Sequence, residues 1–449
     1  MIRMVDDHLI ENRRGAERVV ETLQRAGFEA YFVGGCVRDI VRGVPPDDYD
    51  IVTSALPDQV VHLFERTVAV GAKFGVVVVC EGGFSYEVAT FRSDDGYEDG
   101  RRPTGVRFSS AREDVRRRDF TINGLLMDAA TNAIIDDVDG RADIEKKIIR
   151  TIGDPAIRFN EDYLRMLRAI RFAANLDFHL DDGARDAILR HAEKIREISP
   201  ERVQEELNKI LTRGGARRGL EWMADTGLLK QILPEVDRMR GVEQPPRFHP
   251  EGDVWQHTLI MMEILSRENK PEVDAALAWG ALLHDVGKTV TRTEDENGVH
   301  FYGHVKCGES IAEDVMRRLR FSGALRDNVL ELIGRHMDFM NVQKMRPASL
   351  KRFLRMPNFQ RHLQLHRLDC LASHGMLDHY TFCQEQLRKV GPEELHPPRL
   401  LTGDDLLAMG FAPGKRMGEI LRALEEEQLE NRIHDREEAM AFVQNRRKA

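Results

Sequence analysis

Ala30-Tyr-Phe-Val-Gly-Gly-Cys-Val-Arg-Asp39, followed by Asp47-Asp-Tyr-Asp-Ile-Val-Thr53, decides the N-terminal architecture. The apolar run Ala30–Val33 reads as a strand, Gly34-Gly35 as a tight turn and Val37–Val41 as the first turns of a helix. Glycines at such a turn let backbone N–H groups approach a phosphate, and Arg38 adds a fixed positive charge. Asp48–Val52 is short and β-branched, so it reads as a second strand. Side chains two apart on a strand share a face, roughly 7 Å apart, which lets Asp48 and Asp50 converge on one metal site. Two divalent ions about 3.5–4 Å apart at such a pair can activate a hydroxyl and hold a triphosphate in line. A Gly-Gly turn or an Asp-x-Asp pair alone is usually just a turn or a solvated strand edge; the two together, about ten residues apart, are far more specific.

Working outward, Leu9–Gly27 has helical spacing with Val19, Val20, Leu23 and Ala26 on one side. Pro57–Phe64 reads as a helix with proline in its first turn. Phe74–Cys80 and Phe84–Thr90 read as a hairpin closed at Glu81-Gly82-Gly83, with Glu87 as a third carboxylate for the metal site or an outward strand residue. Residues 91–108 are polar and without period, and read as a mobile loop beside the site.

A chain of 449 residues exceeds one ordinary core, so several domains are expected. With 42% hydrophobic and 31% charged residues, no long apolar run and no signal-peptide core, a cytoplasmic, helix-rich protein without membrane association is expected. The five cysteines, Cys36, Cys80, Cys307, Cys370 and Cys383, form no C-x-x-C pair, which argues against a zinc knuckle or a disulfide framework. A net charge of −9 does not by itself suggest a nucleic-acid binder. Arg101, Arg102, Arg107, Arg112 and Arg116–Arg118 nevertheless make a local basic patch, the last three readable as a solvated helix start.

Gly34-Gly35-x-x-Arg38-Asp39 with Asp48-x-Asp50 resembles the first motif of the class II tRNA nucleotidyltransferase and bacterial poly(A) polymerase family. Arg117-Arg-Asp-Phe-Thr-Ile-Asn123 resembles the second and Asp137-Val-Asp-Gly-Arg-Ala-Asp143 the third. In the second, Asp119 can accept from a ribose hydroxyl, while Arg118 and Asn123 can meet phosphate or sugar oxygens. Glu161–Phe172 reads as one helix carrying Glu161, Arg165 and Arg168 at i, i+4 and i+7, for which a surface ion-pair ladder is the plain reading. A sharper one comes from the bases. Cytosine and adenine both place an amino donor beside a ring-nitrogen acceptor, so a carboxylate beside a guanidinium accepts C and A and refuses U and G. Asp162 and Arg165 make that pair, with Glu161 orienting the arginine. Ser199–Leu211, with a capping serine and Pro200, resembles the family's last motif, a helix bracing the reading helix.

After Met239–Pro246 the composition shifts. His257, the adjacent His284-Asp285 after an apolar helix, His304, His336 and Asp369 resemble the HD phosphohydrolase superfamily. That likeness implies His257, His284, Asp285 and Asp369 around one divalent ion of unspecified identity, His304 and His336 as further ligands or phosphate contacts, and metal-activated water attacking a phosphoester. Thr402–Gly410 and Pro413–Leu421 resemble the tail of the same nucleotidyltransferases.

The resemblance implies an α+β, multidomain chain: a polymerase-β-like nucleotidyltransferase α/β head (1–150), an all-helical neck that reads the nucleotide (151–240), an HD domain (241–385) and a helical tail touching tRNA (386–449). It further implies Mg2+ at the transferase site, CTP, ATP and tRNA as partners, and addition of CCA to tRNA 3′ ends. A-adding enzymes and poly(A) polymerases share the motifs and stay open, although a pI near 6.0 and a short tail disfavour the latter. An HD phosphohydrolase with an inert RNA-binding head is the alternative of a different class.

Overall fold

The computed structural model describes residues 2–71, 75–97, 103–268, 273–296 and 298–447. By internal packing the chain divides into two compact units, one formed by Met1–Asp237 with two short segments from further on, the other by most of Arg238–Ala449.

In the first unit, α1 (Ile2–Arg25) leads into β1 (Ala30–Val33), α2 (Gly35–Val41), β2 (Asp50–Thr53), α3 (Pro57–Leu63), β3 (Thr67–Gly71), β4 (Val76–Glu81) and β5 (Phe84–Thr90). With β8 (Leu126–Met127) and β9 (Ile134–Ile135), these strands form a seven-stranded mixed sheet ordered β3-β4-β5-β2-β1-β8-β9. Only β2 and β5 pair in parallel; the other neighbours are antiparallel. The β4–β5 hairpin closes on Gly82 (φ 60°) and Gly83 (φ 87°), the two positive φ values that a type I′ turn demands. Ala16, Val19, Val20 and Leu23 of α1 are fully buried, each large side chain contributing about 1.5–3 kcal/mol of burial. Ala26 is exposed, lying past the helix end. Two polar bonds tie α1 to the site: Tyr86 Oη donates to Asn12 O at 2.7 Å, and Asn12 Nδ2 donates to Asp47 O at 2.9 Å, pinning the loop ahead of Asp48.

Three expectations about this region need correction. β2 begins at Asp50, so Asp48 stands just outside the strand; β1 ends at the pair Val33↔Asp50 and turns away at Gly34, which leaves Asp48 no ladder partner. Residues 91–108 contain an antiparallel ribbon of β6 (Arg92–Tyr97) and β7 (Pro103–Phe108), registered from Arg92↔Phe108 to Tyr97↔Pro103. The ladder of a two-stranded ribbon is made by backbone groups, which carry no signal in the order of side chains. Residues 98–102, with Arg101 and Arg102, lie outside the described residues, as does Phe74 of the expected first hairpin strand. Finally, Arg116 ends α4 (Ala111–Arg116) rather than starting a helix.

Helices α5 (Gly140–Lys146), α6 (Pro155–Glu161), α7 (Leu164–Leu176), α8 (Asp182–His191) and α9 (Pro200–Thr212) follow. The single helix expected over 161–172 is broken: Asp162 is extended (φ −154°, ψ 105°), and its carboxylate accepts from Leu164 N at 3.1 Å, starting α7 afresh. α7 buries Leu164, Met166, Leu167, Ile170 and Phe172, and it packs on α9. Pro200 opens α9, but Ser199 makes no side-chain capping bond.

The second unit is helical. Helices Val254–Glu268, Ala275–Leu283, Gly323–Arg335 and Phe359–Ala372 pack on one another around Trp279, which is fully buried. Its last part has a separate small core of Leu401, Leu406, Ile420, Leu424 and Val443. Thr402 and Asp405 form a capping box at helix Gly403–Ala408. Among the described residues no helix is long and apolar enough to cross a membrane, and all five cysteines are free thiols.

Candidate active site and metal centre

Parallel pairing of Ile51 with Val88 sets the preceding residues, Asp50 and Glu87, side by side on β2 and β5. Burial alternates over Asp48–Ile51 and over Ser85–Val88, while Val52 and Thr53 at the end of β2 are buried in succession. Asp48, Asp50 and Glu87 are exposed, while Tyr49, Ile51, Tyr86 and Val88 are buried, so the three carboxylates share the solvent face. Asp50 is exposed as a residue, but the surrounding protein still strips water from its carboxyl; that desolvation and then the neighbouring Glu87 raise its pKa above the usual range, and Arg118 opposes them. Their oxygens do not close to within 4.8 Å of one another as a trio.

Gly34 turns at φ 73°, ψ −127°, a conformation open essentially to glycine. A Cβ there would lie 3.5 Å from Arg118 Nη1 and 3.8 Å from Asp50 Oδ2, so the turn backbone fills the space between that cation and that carboxylate. Arg118 is steadied from behind by Asp114, whose Oδ2 accepts from its Nη2 at 3.0 Å and whose Oδ1 accepts from Arg117 Nη2 at 2.7 Å. Asp114 is fully buried and went unnoticed in the sequence. Gly35 follows as the first residue of α2.

Arg38, Asn123, Asp119 and Arg168 come together in one polar chain. Arg38 is held by Asp39 (Nη2 to Oδ2, 2.9 Å) and donates through Nη1 to Asn123 Oδ1 at 3.0 Å. Asn123 Nδ2 donates to Asp119 Oδ1 at 3.2 Å, and Arg168 gives Nε and Nη2 to Asp119 Oδ2 at 2.8 and 2.5 Å. Burial works against ionising Asp119, but Arg168 prevails and holds its pKa at about 2. Both Asp119 oxygens take bonds from within the protein, so this carboxylate ties the head to α7.

Asp162 and Arg165 do not pair with each other. Arg165 donates through Nη1 to Glu161 and through Nη2 to Arg117 O at 3.1 Å, so Glu161 does orient the arginine. Glu161 also accepts from Arg158 Nη1 at 2.9 Å. Asp162 is gripped by Arg202 of α9. Four residues on, Glu206 Oε2 lies 2.7 Å from Arg171 Nε, and its Oε1 lies 3.8 Å from Arg168. Sequence reading missed Arg202 and Glu206; their i, i+4 spacing on a helix next to a charged helix was the available signal.

In the second unit, His257, His284 and Asp369 bring one ligand atom each within 4.8 Å, and Asp285, His304 and His336 do the same. Asp285 joins the sets: Oδ2 is 3.2 Å from His284 Nε2, and Oδ1 is 3.7 and 3.9 Å from the Nε2 atoms of His304 and His336. The expected grouping of Asp285 with the first ion alone is thus too narrow. His284, His304 and His336 each direct Nδ1 to the backbone carbonyl three residues back, Ala281 (3.0 Å), Phe301 (2.9 Å) and Ile333 (2.7 Å). This leaves every Nε2 facing inward. Nε2 of His257 and of His284 are buried, and each faces a carboxylate oxygen at 3.2 Å, Asp369 Oδ1 and Asp285 Oδ2, in a geometry that makes no hydrogen bond. Imidazole nitrogens and carboxylates gathered with orphaned donor atoms fit a divalent ion. Lys288 Nζ, 2.7 Å from Asp285 Oδ2, was not anticipated. Asp285, Lys288, His304, His336 and Asp369 open on a cavity of about 600 Å³ that also meets Tyr302 and His249.

Four family models match the chain in order: the poly A polymerase head domain over 30–150, the probable RNA- and SrmB-binding site of polymerase A over 177–240, the HD domain over 254–371, and tRNA nucleotidyltransferase domain 2 over 392–443. A CCA-adding enzyme of Limosilactobacillus fermentum is 44% identical over 284 residues, 62% of this chain and 71% of that protein. One from Levilactobacillus brevis is 48% identical over 239 residues, 53% of this chain and 60% of that protein. The first such relatives are matched over 52–60% of their own length. The Bacillus stearothermophilus CCA-adding enzyme in complex with CTP superposes with a TM-score of 0.72 at 27% identity, covering 97% of this chain and 98% of that one. The mixed-sheet head, the helical HD unit and these likenesses agree, and the chain belongs to the CCA-adding enzyme family.

Proposed function

We propose that this protein adds C, C and A to the 3′ end of tRNA, taking CTP and ATP and using no nucleic-acid template. The observation that carries it is the solvent-facing set Asp48, Asp50 and Glu87 beside the Gly34 turn and Arg118, in a chain whose relatives are CCA-adding enzymes. Hard carboxylate oxygens on one exposed face fit a magnesium site, with Asp48 and Asp50 as ligands and Glu87 beside them. When bound, Mg2+ supplies the charge that activates the 3′-hydroxyl and steadies the triphosphate. Gly34 and Gly35 give the phosphates close access to backbone, and Arg118, braced by Asp114, offers them its charge.

Asp162 and Arg165 select cytosine and adenine through one acceptor and one donor, with Glu161 and Arg202 fixing their directions. Arg38, Asn123, Asp119 and Arg168 hold the head against the reading helix. Transfer belongs to 1–150, base reading to 151–240 and tRNA contact to 386–449, in the cytoplasm. Incubation of the purified chain with CTP, ATP and tRNA lacking CCA is the test: three added residues are expected, and no extension would overturn the reading.

A second activity, hydrolysis of a phosphoester, is favoured by the orphaned Nε2 atoms of His257 and His284 in 241–385. His257, His284 and Asp369 would hold one divalent ion and Asp285, His304 and His336 a second. Such ions supply an activated water.

A further inference from the structure

Glu251 belongs to neither ligand set, yet its side chain is only 6% exposed and faces the centre. Its Oε1 lies 2.7 Å from His257 Nδ1 and 2.9 Å from His249 Nδ1, and its Oε2 is buried without a partner. The local chain explains the approach. Gly252 adopts φ 124°, and Asp253 accepts from Gln256 N at 2.8 Å to start helix Val254–Glu268, so Glu251 doubles back beside the first turn.

His257 needs such a side chain because its backbone route is taken. The other three histidines use the carbonyl three residues back. For His257 that carbonyl is Val254 O, which already accepts from Thr258 Oγ1 at 2.8 Å. A neutral imidazole carries its hydrogen on one nitrogen only, and the other is the donor atom. With the hydrogen fixed on Nδ1 by a carboxylate, the Nε2 lone pair is committed toward Asp369 and His284. The same hydrogen rules out His249, Glu251 and His257 as a further ion site while His257 serves the inner one.

We propose that Glu251 is the positioning residue of this centre: it selects the Nδ1–H tautomer of His257 and, through the same oxygen, holds His249 at the cavity wall. The proposal rests on reading the inner cluster as a divalent-metal centre. The test is titration of the full-length metal-free protein with Co2+ alone, followed by the visible absorption of the bound ion. The imidazole 15N shifts of His257 are read on the diamagnetic Zn2+-loaded protein, where the bound ion keeps the ring neutral.

Glu251→Ala is expected to weaken Co2+ binding about 10–100-fold and to let the His257 tautomer mix, while the thermal unfolding midpoint of the metal-free protein shows that the fold persists. Glu251→Gln, whose amide oxygen still accepts from Nδ1, should keep the tautomer and lose several-fold in affinity. Wild-type affinity and a pure Nδ1–H tautomer in Glu251→Ala would overturn the role of Glu251 alone. Failure of the wild type to bind Co2+ would overturn the metal-centre reading and this proposal together. If the alanine variant does not fold, the glutamine variant decides, undiminished affinity counting against Glu251.

Discussion

Arg202 grips Asp162 at both ends, Nη1 to Oδ1 at 3.2 Å and Nη2 to Oδ2 at 2.6 Å, across forty positions of sequence. Asp162 has no helix to hold it, since it sits in the extended break between α6 and α7, so its direction is set by α9. Charge-assisted bonds of this kind contribute about 1.5–3 kcal/mol. Arg202→Ala is therefore expected to lower the kcat/KM preference for CTP over UTP by about 10–100-fold. Arg202→Lys, which cannot grip both oxygens, should restore only part of it. An unchanged preference in Arg202→Ala would remove Asp162 from base selection.

Asp50 and Glu87 lie side by side on parallel strands, but only Asp50 is flanked by Asp48, Glu87 and Arg118 together. Asp50→Ala should reduce CTP incorporation by about a thousandfold or more, the scale set by losing charge stabilisation at a reacting centre, with the far-ultraviolet spectrum unchanged. Glu87→Gln should cost less, about tenfold to a hundredfold. Equal losses would make Glu87 a ligand of the same rank as Asp50, and near-wild-type rates in Asp50→Ala would remove the metal assignment.

Asp119 links pH to stability. Its folded pKa, about 2, lies below the usual carboxylate value, so the unfolded state takes up the proton first as pH falls. Its contribution, about 2 kcal/mol, is present above pH 4 to 5 and disappears as pH drops through 2. Urea unfolding between pH 3 and pH 7 should show Asp119→Asn with a flatter acid limb than wild type. Parallel limbs would show that the Arg168 pair does not discriminate the two states.

On the proposed function the two units carry separate chemistry. Replacing His284 and Asp285 together with alanine removes donors from both sets of the centre. The double variant should abolish divalent-metal-dependent phosphate release while CTP incorporation stays within about twofold, as expected for sites that share no partners. Comparable phosphate release from wild type and variant would assign that activity elsewhere.

What could be read in advance follows the range of the forces involved. The strand–turn–helix at Ala30–Val41, the glycine hairpin at Gly82-Gly83 and the Asp48/Asp50/Glu87 face depend on neighbours or on strand alternation, and the His-Asp set was marked by its residue types. Asp114, Arg202, Glu206 and Glu251 act across space or from irregular segments, and nothing periodic announces them. The helix expected through Glu161–Phe172 failed because the Asp162 side chain competes for Leu164 N, and helical spacing cannot register such a competition. Residues 91–108 failed for the opposite reason, a ribbon held by backbone pairing that the sequence does not mark with any period.

On the proposed function, side chains choose the nucleotide where other polymerases use a template. The decisive experiment presents three tRNAs, ending before CCA, after C and after CC, to each of CTP, ATP, UTP and GTP separately. CTP addition is expected on the first two, ATP addition on the third alone, and neither UTP nor GTP on any. Incorporation of UTP at rates near those of CTP, or ATP added equally to all three ends, would contradict that function.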